Sequence, residues 1–109
     1  MNLEIKLSTQ GNKSIVYLIG EVDVYTAPQL KSQLFPLVEQ NEHKIIVDLA
    51  QVEFMDSSGL GTIIGALKTA KNHNSEITLQ HANERLQRLF SITGLSALVE
   101  INGVQEGQS

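Results

Sequence analysis

The chain has 109 residues, of which 41% are hydrophobic and 18% charged; the net charge is −4, and there is no cysteine and no tryptophan. That length and balance fit one small globule with one core rather than a disordered chain. Disulfides, thiolate chemistry and cysteine-based zinc sites are excluded, and no basic stripe interleaved with aromatics offers the phosphate contacts that direct nucleic-acid binding needs.

The opening stretch MNLEIKLSTQ alternates polar and apolar residues. It has neither the charged start and apolar block of a secretory leader nor the length of a membrane span, so a soluble cytoplasmic protein is expected. Leu3, Ile5 and Leu7 read as a strand with one wet face. Gln10, Gly11 and Asn12 read as a turn, and the continuous apolar run Ile15 to Ile19 as a second strand, antiparallel to the first and covered on both faces.

GEVDVYTAP then leads into a helix. Thr26 and Gln29 have the spacing of a capping box, and Pro28 falls in the first turn, where its missing N–H costs little. Leu30, Leu34, Leu37 and Val38 share one face, while Pro36 is expected to kink the helix or end its regular part early. Lys44 to Leu49 reads as another buried strand, so strand, helix and strand imply a right-handed parallel crossover.

Next comes VEFMDSSGLGTIIGALKTAK, residues 52 to 71. Leu60, Ile63, Ile64 and Leu67 define a helix from Ser57 or Ser58 to Lys71. Ile77 and Leu79 belong to a short strand. Asn83 is positioned to cap a third helix that faces Leu86, Leu89 and Phe90 inward and ends at Gly94. Leu98, Val99 and Ile101 suggest a last short strand. The expected core spans residues 3–101, with a frayed tail at 102–109.

Four readings of the Asp56-Ser57-Ser58 cluster are open. Ser57 is a plain N-cap, with Asp56 favouring the positive helix end and Gly59 and Gly61 allowing close packing. A phosphate cradle is disfavoured, because Gly59-x-Gly61-x-x-x-Gly65 is not G-x-G-x-x-G. A serine nucleophile is disfavoured, because Met55 stands where the first glycine of the elbow belongs. The candidate bases His43, His73 and His81 read as solvated surface residues without close metal-ligand spacing. The last reading is a covalent switch. A phosphoserine would add about −1.5 to −2 charges beside an existing carboxylate, which the fold tolerates at a helix N-terminus and a docked partner does not.

GEVDVYTAP, VEFMDSSGLGTIIGALKTAK and ERLQRLFSITGL together resemble the anti-sigma factor antagonists of the STAS domain family, above all those of the general stress response of Gram-positive bacteria. The likeness implies an α/β fold: a STAS-like single domain, a small mixed β-sheet with helices packed chiefly on one face. It implies partner switching rather than enzymatic activity, with no cofactor and no metal. In that scheme the bare protein binds an anti-sigma factor that is also a serine kinase and so frees a sigma factor. Phosphorylation reverses the binding, and a separate serine phosphatase resets the cycle.

The resemblance puts the phosphorylated residue at Ser57, with Ser58 as the runner-up, and partner contacts at Glu21, Asp23, Asp56, Ser57, Ser58 and Gly59. Asp23 would face a basic residue on the kinase and Asp56 would hold the phosphoacceptor loop. For Asp23 the alternative is a turn-stabilising side chain, and for Glu21 a solvated position. An alternative for the whole protein is a STAS subunit of a lipid or anion transport system, which needs no phosphate turnover at Ser57.

Overall fold

The computed structural model describes residues 2–102. Strands β1 (Leu3–Gln10), β2 (Lys13–Val22), β3 (Lys44–Met55), β4 (Glu76–Gln80) and β5 (Glu100–Ile101) form one sheet in chain order. β1 runs antiparallel to β2, and the remaining neighbours are parallel. The crossovers carry α1 (Ala27–Val38), α2 (Ser57–Asn72) and α3 (Glu84–Ile92), the last followed by a 3-10 turn at Leu95–Ala97.

Strand order never reverses, so successive right-handed crossovers stack their helices on one face of the sheet. Alternate residues of the parallel strands point into that layer. Val16, Leu18 and Val22 of β2, Ile45, Val47 and Leu49 of β3, and Ile77 and Leu79 of β4 are buried. Leu30, Leu34, Ile63, Leu86 and Phe90 meet them from the helices.

The opposite face is open, which corrects the expectation that β2 and β3 are covered on both sides. Ile15, Ile19 and Ile46 are half-buried and Tyr17 is exposed. Register explains why these positions are apolar: Ile15 lies beside Ile46, and Glu4 and Lys6 of β1 lie beside Ile19 and Tyr17. Neighbouring side chains cover one another sideways with no second layer of helices.

Several local expectations change as well. His43 is buried, not a solvated surface residue. Its Nε2 lies 2.7 Å from Ser14 Oγ, and Thr9 Oγ1 lies 2.8 Å from the same oxygen. Thr26 precedes α1 without a side-chain cap, so the capping box does not form. Its hydroxyl donates to the Glu21 carbonyl at 2.9 Å, and Gln29 Nε2 instead reaches the Leu3 carbonyl at 2.9 Å. Helix α1 continues through Pro36 and stops two residues later, at Val38. β3 extends to Met55, and its register with β2 shifts at two places, between Tyr17 and Ile19 and between Gly20 and Glu21. The last strand is confined to Glu100–Ile101, leaving Leu98 exposed. Apart from Asn102, the tail expected to fray lies outside the described residues. Asn102 brackets Ala82, accepting its N–H at Oδ1 (2.9 Å) and donating to its carbonyl (3.2 Å).

Candidate functional site

β2 and β3 end side by side. Val22 pairs with Met55, and the Asp56 N–H donates to the Val22 carbonyl at 3.0 Å. The loop after β2 and the loop after β3 therefore leave one edge of the molecule, held together by backbone.

In the second loop Asp56 is extended (φ −103°, ψ −172°) and its carboxylate is the N-cap of α2. Oδ1 accepts the Ser58 N–H at 2.8 Å and the Gly59 N–H at 3.3 Å. This corrects the N-cap reading of Ser57. Ser57 is the first helical residue and exposed, and its hydroxyl makes no hydrogen bond among the described residues. Ser58 is half-buried, and its carbonyl accepts the Thr62 hydroxyl at 3.0 Å.

Gly59 is buried where the first turn of α2 crosses the strand ends. A methyl group there would sit 2.7 Å from both Met55 Cγ and Val22 Cγ1, closer than carbon atoms tolerate. Gly61 faces open space with nothing within 4 Å, so of these two only Gly59 serves close packing.

In the first loop Asp23 is only 5% exposed. Its Oδ1 accepts the N–H groups of Tyr25 (2.9 Å) and Thr26 (3.0 Å), while its own N–H donates to Thr26 Oγ1 at 2.9 Å. Oδ2 is buried without a hydrogen-bond partner. Asp23 thus takes the turn-stabilising place and still holds one unmatched acceptor. Glu21 is half-buried; its N–H donates to the Asn2 carbonyl at 3.0 Å. Gly20 has φ +120°, a conformation L residues rarely adopt, and any β-carbon there would collide with the Asn2 carbonyl oxygen.

The tightened loop displays two residues that sequence reasoning passed over: Val24, 59% exposed, and Tyr25, 81% exposed. Their only sequence signal is an apolar pair between a turn-forming Asp and a helix-starting Thr, in phase with no strand or helix period. The third loop reaches the same side of the sheet through Asn83. Its Oδ1 accepts the Leu86 N–H at 2.8 Å and caps α3, as expected, and its Nδ2 lies 3.4 Å from the Val52 carbonyl.

None of the three histidines serves Ser57. His43 pairs with Ser14 at the far end of β2, His73 Nδ1 lies 3.0 Å from Asn41 Oδ1, and His81 Nδ1 lies 3.1 Å from Asp48 Oδ2. Among the described residues no group of three or more His, Asp or Glu is placed to hold a metal ion. No helix there is long and apolar enough to cross a membrane.

A STAS domain family model matches residues 4–105. The chain belongs to the STAS domain family. This STAS domain is 39% identical over 107 residues to the anti-sigma-B factor antagonist of Bacillus subtilis (strain 168), covering 98% of this chain and 97% of that one. Its fold also matches the anti-sigma factor antagonist SpoIIAA in its unphosphorylated form, with a TM-score of 0.73 at 19% identity, over 90% of this STAS domain and 86% of the other chain. The match to the Bacillus cell fate determinant SpoIIAA in its phosphorylated form has a TM-score of 0.72 at 21% identity and covers 90% of each chain. The mixed sheet and one-sided helix layer inferred from the resemblance are those of the STAS fold.

Proposed function

We propose that this STAS domain is an anti-sigma factor antagonist that works by partner switching, with Ser57 as its phosphoacceptor. The bare form docks its edge, through the loops after β2 and β3, on an anti-sigma factor that is also a serine kinase, and a sigma factor is released. The kinase transfers the γ-phosphoryl group of ATP to Ser57 Oγ. An oxygen–phosphorus bond forms at the serine, the bond to ADP breaks, and the hydroxyl proton passes to the kinase. A separate serine phosphatase hydrolyses the ester and restores the docking form.

One observation carries this reading: Asp56 caps α2, which leaves the Ser57 hydroxyl exposed and unbonded at the helix mouth. A serine used as the cap would have its oxygen committed to backbone N–H groups. Ser58 remains the runner-up, less accessible by its half-burial.

The same arrangement explains why phosphate would switch binding. Helix N-termini ordinarily offer free N–H groups to anions. Here Asp56 Oδ1 already holds those of Ser58 and Gly59. The new charge of about −1.5 to −2 therefore meets an existing carboxylate, with those two N–H groups already taken. A docked partner would have to desolvate both anions together, which is costly without new positive partners. Within the interface Asp56 orders the acceptor loop, and Gly59 lets that loop lie flat on the strand ends. Glu21 lends negative charge to the edge, and Asp23, buried beneath it, shapes the first loop from within rather than meeting the kinase.

The transport-subunit alternative has no comparable support, since the chain spans nearly the whole length of the Bacillus subtilis antagonist. Incubation with the candidate anti-sigma kinase and Mg-ATP, followed by peptide mass spectrometry, tests the proposal. One phosphate at Ser57 and loss of the complex are expected; an intact complex with phosphate on Ser57 would overturn it.

A further inference from the structure

Val24 and Tyr25 are consecutive, apolar and presented to solvent at the docking edge. Single exposed apolar residues are ordinary on protein surfaces. These two differ because the backbone beneath them is fixed. Asp23 Oδ1 holds the N–H groups of Tyr25 and Thr26, the Asp23 carbonyl accepts the Ala27 N–H at 2.8 Å, and Thr26 Oγ1 ties back to Glu21. A buried carboxylate thus fixes the backbone that carries an exposed aromatic side chain.

Such an arrangement lowers the entropy lost on docking. Tyr has only two side-chain torsions, and its loop is already ordered. Tyr is also among the residue types that dominate binding energy when buried at the centre of an interface. The surroundings suit that role: Glu21 and Asp56 supply an acidic margin, and the Asp56 N–H to Val22 bond fixes this loop beside Ser57.

We infer that Val24 and Tyr25 are the apolar anchor of this edge, seated in an apolar pocket with a basic rim on the anti-sigma kinase, and that Tyr25 is the residue contributing most to the affinity of the bare form. The inference rests on the partner-switching reading. In it the anchor supplies affinity and Ser57 supplies control, so the two contributions separate experimentally.

The test is a calorimetric titration of the purified kinase with the full unphosphorylated chain as parent, in the absence of ATP, so that no phosphate can be placed on Ser57. Tyr25→Ala should raise Kd about 30-fold and Val24→Ala about 5-fold. Tyr25→Phe should stay within a few fold, because the ring rather than the hydroxyl fills the pocket. Ile92→Ala is the matched control: Ile92 is 77% exposed but lies at the last residue of α3, away from the edge, and its Kd should not move. Urea midpoints of all variants should match the parent, since the side chains removed are exposed. If the parent binds and Tyr25→Ala binds within twofold, the anchor is overturned while partner switching stands. If the parent itself does not bind, both fall.

Discussion

The Asp56 carboxylate and the Ser58 amide nitrogen lie 2.8 Å apart, so the residue before Ser57, not Ser57 itself, closes the end of α2. Structure and, in the proposed switch, signal thereby fall to adjacent side chains. Asp56→Ala should cost about 1 kcal/mol, the usual loss for a helix cap, and Asp56→Asn much less, because its amide oxygen still accepts. Urea unfolding curves check both, and equal stability of Asp56→Ala and the parent would refute the capping role.

Ser57→Ala should leave stability within about 0.5 kcal/mol, because its hydroxyl supports nothing in the fold. It should retain kinase binding and take up no phosphate. Phosphate remaining at full level on Ser58 in this variant, seen by mass spectrometry, would move the switch by one residue.

Ser57→Asp should fold like the parent and bind the kinase at least tenfold more weakly, since a second carboxylate beside Asp56 must be desolvated on docking. A titration showing equal affinity would remove electrostatic repulsion from the mechanism. A true phosphoserine, with more charge, should weaken binding further.

Gly59→Ala and Gly61→Ala make an opposed pair two residues apart. At Gly59 a methyl meets Met55 and Val22 at 2.7 Å, and overpacking should cost about 1–3 kcal/mol. At Gly61 the methyl meets nothing within 4 Å, and the gain in helix propensity should stabilise by about 0.5–1 kcal/mol. Thermal melts of the two variants should shift in opposite directions.

Ser14→Ala removes the partner of the buried His43 Nε2 and should cost about 1–3 kcal/mol. Ser14 begins β2, whereas Val22 at its other end adjoins Ser57, about 25 Å along the strand. Kinase affinity should therefore stay unchanged while the melting temperature falls, and a loss of affinity without loss of stability would contradict that separation.

Much of this fold was legible in periodicity. The inward faces of α1, α2 and α3 follow from Leu30 and Leu34, Leu60 and Ile63, and Leu86 and Phe90, because burying one stripe of a helix repeats every 3.6 residues. The site was legible in part: Asp56, Ser57 and Gly59 stand at one strand-to-helix passage, as the motif suggested. The failures have physical causes. Apolar runs in β2 and β3 suggested two covered faces, but lateral contacts between Ile15 and Ile46 satisfy apolar residues without a second layer. Thr26 and Gln29 have capping-box spacing, yet Glu21 and Leu3 offer tertiary carbonyls that win their donors. His43 is a polar residue whose burial depends on Ser14, distant in sequence. Val24 and Tyr25 belong to a loop, where no period distinguishes a displayed side chain from a packed one.

The Asp56 N–H to Val22 carbonyl bond consists only of main-chain atoms. That bond between the two loops is consequently independent of the exposed side chains they carry. Exchanging the exposed side chains at positions 24 and 25 should therefore leave the spacing between the two loops as it is.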